Sequence, residues 1–265
     1  MRSLLTDIVL VRLFAMALQR KLLFIIFVLA VIFCANGQYS ITADDTWQLD
    51  DTPSEMNDEE EIELGKQVDE YIRHHFYLEN DPDLNMVVSN ITQRLVTVSD
   101  RNTLPFTCTI LQSFSINAFS APGGHIYLTY GLLKFAQTED EVAGIVGHEV
   151  AHASLHHASK LYHEVMEILS RQNNGTHSPE SLLLLNSHLE EFEQDADTTG
   201  VFYASKAGFN PSGLLDFLER HLSLMIRKNM FGLAGPGSSA ELITSRINHL
   251  KEYLSTLEKG KNNKE

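Results

Sequence analysis

Cysteine is almost missing from this chain. Its 265 residues hold two, Cys34 and Cys108. At most one disulfide could form between them, and none once Cys34 is lost with the N-terminal segment, so stability has to come from a buried core. Positive charge is scarce as well: 20 Lys and Arg face 35 Asp and Glu, a formal net charge of −15. Such a balance argues against a nucleic-acid partner, whose phosphates it would repel. A phosphate-cradling loop is also absent. The Gly-rich "APGGH" (Ala121–His125) lacks the lysine such a loop needs and reads as a turn. No internal repeat is visible. Long apolar runs are few: the longest, Leu22 to Cys34, has 13 residues, short of the ~20 that span a bilayer. What remains is a chain with 43% hydrophobic residues, enough for one globular domain with an appendage.

That apolar run follows Arg20 and Lys21 and precedes Ala35-Asn36-Gly37, which predicts an export signal over residues 1–37, cut after Gly37. An uncleaved signal anchor is the alternative, because Ile8 to Leu18 is mostly apolar too. Met16 is a second candidate start. Cleavage removes Arg2, Arg12, Arg20, Lys21 and Asp7 and leaves the remainder at −18, with Cys108 as its only cysteine. Residues 38–58, polar and acidic without periodicity, predict a flexible arm. Residues 59–257 form the expected folded domain, and 258–265 a polar tail.

Within the domain the apolar spacing predicts helices over 59–78, 84–98, 139–159, 181–207, 212–230 and 241–257. "FTCTIL" (Phe106–Leu111) and "HIYLTY" (His125–Tyr130) alternate as strands do. Residues 171–179 read as a loop, and 170–185 as a candidate lid. The expected class is α+β, mostly helical with a small mixed sheet beside one central helix.

Four of the 12 histidines fall within "HEVAHASLHH", His148 to His157. On a helix His148 and His152, four residues apart, share a face and can aim a ring nitrogen each at one Zn2+. Glu149, about 100° round the helix, can take a proton from water at the metal without ligating it. His156 extends the same row too far along the axis to join the site. His157 and His163 read as exposed polar positions. A third ligand is needed. Leu155 and Ala158 stand where one zinc-peptidase class has Gly and His, which excludes that class. "HLEEFEQDADTTG" (His188–Gly200) supplies the alternatives Glu190, Glu191, Glu193, Asp195 and Asp197. Glu193 and Asp197 share a face, and spacing alone does not choose among the five.

These segments resemble the gluzincins of peptidase family M48. "SINAFSAPGGHIYLTYGLL", "TEDEVAGIVGHEVAHASLHH", "EFEQDADTTG" and "AGFNPSGLLDFLERH" are similar to four of its ordered motifs. "EIELGKQV" and "DPDLNMVVSNITQRL" also resemble it, so the likeness runs from about Glu60 to Lys251. It implies a zincin-like fold, one Zn2+ on His148, His152 and Glu193, Glu149 as general base, and Asp197 orienting a ligand histidine. It further implies a substrate-binding edge at His125, Ile126 and Tyr127. Periodicity does not place Arg246: it either lies near the site or pairs with acids of the last helix. There is one departure. Periplasmic members carry a His-Pro pair six residues before such an Arg, with the His implicated in control; here Ala240-Glu241 stand there.

The expected function is a secreted or periplasmic zinc metalloendopeptidase. Its expected partners are unfolded or misassembled envelope polypeptides, without nucleic acid. Membrane association through an uncleaved N-terminus is the alternative location. The alternative function is a non-catalytic, zinc-containing, chaperone-like protein, motivated by Ala240.

Overall fold

In the computed structural model the first described helix begins at a cap the sequence spells out. Asn57 accepts from the Glu60 amide at 3.0 Å, and the Glu60 carboxylate accepts from the Asn57 amide at 2.9 Å. This capping box satisfies two amides that would otherwise lack partners and starts α1, Asp58–His75. The structure describes residues 56–161, 179–230 and 240–262. They all fall within one compact unit, residues 53–234 with 239–265. The predicted signal segment and residues 38–55 of the predicted arm lie outside the described residues, as does most of the predicted lid.

α1 buries Leu64, Val68 and Ile72, four residues apart, along one face. Helix α2, Pro82–Thr97, starts on the Asp81 cap with Pro82 at its first turn. Three short strands follow: β1 (Thr107–Leu111), β2 (Ala118–Ala121) and β3 (His125–Thr129). Then come α3 (Tyr130–Phe135), α4 (Glu139–Ser154), α5 (Pro179–Lys206), α6 (Gly213–Met230) and α7 (Ala240–Asn262). The class is the α+β expected, mostly helical with a small mixed sheet.

The sheet order is β1–β3–β2, with β3 parallel to β1 and antiparallel to β2. β3 is therefore the central strand. Both of its backbone edges are already paired, and no substrate can add to it. This corrects the expectation that His125, Ile126 and Tyr127 form a substrate-binding edge. The edge beside α4 is β2, which sequence alternation did not reveal because "AFSA" contains no β-branched residue. The turn between β2 and β3 passes through Gly123 at φ 72° and Gly124 at φ 86°, a backbone only glycine adopts freely.

α4 is the central post of the domain. Twelve of its residues are buried, from Glu141 to Ser154, because α2, α5, α6 and the sheet all pack on it. Small side chains make this close approach possible. A Cβ on Gly144 would lie 2.5 Å from the Leu214 amide of α6, and one on Gly147 would lie 2.8 Å from the Gly200 carbonyl of α5. The helix ends at Ser154, short of the expected 159, because His156 turns left-handed at φ 58°. α7 conversely runs past the expected 257 to Asn262. No helix among the described residues is long and apolar enough to cross a membrane.

Candidate metal centre

Thr138 caps α4 through its side chain, which accepts from the Glu141 amide at 3.2 Å. Three turns on, His148 and His152 leave the same face, with Nε2 atoms 3.0 Å apart. α5 crosses α4 where Gly200 meets Gly147. One and two turns before that crossing, Asp197 and Glu193 come down on the two imidazoles. Glu193 Oε2 lies 3.5 Å from His148 Nε2, and its Oε1 lies 3.4 Å from His152 Nε2. Asp197 Oδ1 sits 2.8 Å from His148 Nδ1, behind the ring. The crossing thus sorts the five acids that spacing left open. Glu193 and Asp197 reach the histidines, whereas Glu190, Glu191 and Asp195 are exposed.

Arg246 reaches the same place from α7. Its Nη2 and Nε donate to the two oxygens of Asp197 at 2.6 and 2.9 Å, and its Nη1 lies 2.7 Å from Glu193 Oε2. Arg246 therefore belongs to the site; the acids it pairs with lie on α5. Ala240 opens α7 and offers no ligand atom. Glu149 is buried, and among the described residues no hydrogen bond or ion pair engages its carboxylate. His157 is buried too, which corrects its reading as an exposed position. Helical periodicity could not reveal this, since the helix has already ended.

The charges brace one another. Burial and the Arg246 guanidinium both press the His148 ring toward neutrality, but Asp197 and Glu193 outweigh them and push its pKa up to about 9. Burial opposes ionisation of Glu193 and Asp197, yet Arg246 and the histidines hold both carboxylates below their ordinary range. Burial pushes the His157 ring down to about 3, helped by the neighbouring His152. The thiol of Cys108 on β1 is pushed up by burial to about 12, which fits a packed thiol and not a nucleophile.

The donor set suits a zinc ion. Ligand atoms about 2.0–2.1 Å from a tetrahedral ion lie roughly 3.3–3.4 Å from one another. Here the three separations are 3.0, 3.4 and 3.5 Å. Two imidazoles and one carboxylate form a set that leaves a fourth position open. A second group of oxygen and nitrogen donors, Asp58, Glu61 and His156, is held otherwise. Arg101 Nη2 bonds Asp58 and Glu61 at 2.6 and 3.0 Å and supplies the countercharge itself.

A helix carrying HExxH, a glutamate from a later helix and a small mixed sheet together make this a zincin-like α+β domain with a gluzincin-type donor set. The model of peptidase family M48 matches residues 82–256, and the chain belongs to that family of metallopeptidases. Among its relatives, the beta-barrel assembly-enhancing protease of Escherichia coli is 23% identical over 183 residues, covering 62% of this chain and 38% of the relative. The mitochondrial metalloendopeptidase OMA1 of Schizosaccharomyces pombe is 28% identical over 145 residues, covering 51% and 43%. OMA1 of Saccharomyces cerevisiae is 24% identical over 152 residues, covering 53% and 44%. The chain spans about two fifths of the length of the curated relatives it matches.

Proposed function

We propose that residues 59–257 form a zinc metalloendopeptidase domain that cleaves unfolded or misassembled polypeptides of the cell envelope. Residues 1–37 would direct its export. The observation that carries this reading is the triangle of His148, His152 and Glu193 with a buried Glu149 beside it, unpaired among the described residues. The relatives' names, an assembly-enhancing protease and a metalloendopeptidase, support the reaction class.

His148, His152 and Glu193 would hold the metal. Zinc supplies Lewis acidity there, which acidifies water toward a pKa of ~7 and polarises a scissile carbonyl. Glu149 is the base: it accepts the proton of the attacking water and returns it to the leaving amine. Asp197 accepts the Nδ1 proton of His148 and so keeps its Nε2 lone pair on the metal side. Arg246 neutralises Asp197 and Glu193, so that two buried carboxylates can stay ionised together. β2 offers its free backbone edge beside α4 to an extended peptide. Main-chain pairing of that kind asks for little sequence and suits unfolded substrates.

The test is casein cleavage by the purified chain with zinc measured in parallel. One zinc per chain is expected, with cleavage that a chelator abolishes and added zinc restores. Cleavage that persists after the metal is stripped would overturn the reading.

A further inference from the structure

We infer that His157 is a positioning residue of the metal centre, the hydrogen-bond acceptor that fixes which nitrogen His152 turns toward the metal. The inference rests on the reading that His148, His152 and Glu193 hold the ion.

A ligand histidine that presents Nε2 must carry its proton on Nδ1, and that proton needs an acceptor. For His148 the acceptor is Asp197. For His152 it is a different group: Nδ1 of His152 lies 2.9 Å from Nδ1 of His157. Both nitrogens cannot carry a proton at that distance. With the proton on His152, His157 is neutral and accepts through a bare Nδ1. The His157 ring cannot swing away easily, because it stacks on Phe192 with centroids 4.4 Å apart and planes 16° from parallel. It stands behind His152, on the side away from Nε2, so it is not a fourth ligand.

The backbone is bent to put it there. Had α4 continued, a residue five positions on would point about 140° away from His152. The helix stops at Ser154 instead, and His156 is the only non-glycine residue among those described with positive φ, 58°. That left-handed residue breaks the helical register, and His157 comes to lie against His152. Arg101 holds the turn: its Nη1 donates to the Ala153 carbonyl at 2.6 Å. A sparsely populated backbone conformation next to a site is often kept for what it positions. The two ligands are thus oriented by unlike partners, a carboxylate for His148 and a neutral ring for His152. The neutral ring adds no charge to a centre that already has Glu149, Glu193 and Asp197 against Arg246.

The test measures zinc affinity of the full chain by chelator competition, and the visible spectrum of the cobalt form. His157→Phe keeps the stacked ring but cannot accept a hydrogen bond. It is expected to bind zinc about 10–100-fold more weakly, with a shifted cobalt spectrum and an unchanged unfolding temperature without metal. A second comparison does not depend on that variant folding: His157→Asn against the isosteric His157→Leu. Asn can accept the bond and should bind zinc at least tenfold more tightly than Leu. Equal affinities and spectra across parent, Phe, Asn and Leu would overturn the role of His157 and leave the metal site standing. A parent chain that binds no zinc would overturn both.

Discussion

Arg246 puts one positive charge between two carboxylates that burial alone would protonate. Its fork matches Asp197 with two bonds and still reaches Glu193. Removing one partner of such a buried cluster leaves uncompensated charge. Arg246→Leu is therefore expected to destabilise the metal-free protein by about 3–5 kcal/mol, read from urea unfolding, and to abolish cleavage. Arg246→Lys keeps the charge without the fork and should fall between parent and Leu. A Leu variant as stable and active as the parent would show that Asp197 and Glu193 do not depend on Arg246. The same scale explains why Glu149 differs from its acidic neighbours. Glu193 and Asp197 are tied by several bonds each, whereas the Glu149 carboxylate has none among the described residues, which suits a group that must take up and release a proton.

At the level of elements, the geometry of the centre is set by how closely α4 and α5 cross. A Cβ on Gly200 would stand 2.6 Å from the His148 amide and 2.7 Å from the Gly147 carbonyl carbon. Backbone cannot yield as a side-chain tip can, so the helices must part. Gly200→Ala is expected to cost about 1–3 kcal/mol and to weaken zinc binding, because Glu193 and Asp197 ride on α5 and His148 on α4. Isothermal titration would show it; unaltered zinc affinity would mean the crossing does not set the ligand distances. This crossing also explains what could be read from the sequence. His148, Glu149 and His152 were legible because helical spacing is local. The choice of Glu193 and Asp197 over Glu190, Glu191 and Asp195 was not, since it depends on where a second helix lands; only the family resemblance pointed to it. Strand order is non-local in the same way. "HIYLTY" was legible as a strand but not as the central one, and four-residue β2 gave no alternating signal. His157 was misread because one left-handed residue, His156, undid the helical register on which its reading rested.

For the molecule as a whole, the described cysteine, Cys108, is free, so stability rests on the core and on a few buried ion pairs. One of these ties α4 to α6. Glu141, buried in the first turn of α4, accepts both terminal nitrogens of Arg220 and the Gln137 amide at 2.8 Å. Arg220 also lies over the Phe135 ring, 4.9 Å from its centroid. Burial opposes the charge on Glu141, but Arg220 and the Gln137 amide hold its pKa below the ordinary value. A carboxylate whose folded pKa is depressed stabilises the fold fully above its unfolded pKa of about 4.3 and loses that contribution as pH falls through the lower folded value. Glu141→Gln is thus expected to be about 1–3 kcal/mol less stable than the parent at pH 7. The gap should narrow below pH ~4.3. Thermal unfolding of both proteins across this range checks it, and a gap that widens in acid would contradict the pairing.

The most direct measurement compares the parent with Glu149→Gln on an unfolded protein substrate, with zinc content determined for both. If Glu149 acts as the proposed base and not as a ligand, the variant should hold one zinc per chain and cleave at least about 100-fold more slowly. A zinc-loaded Gln variant that cleaves as fast as the parent would contradict the account.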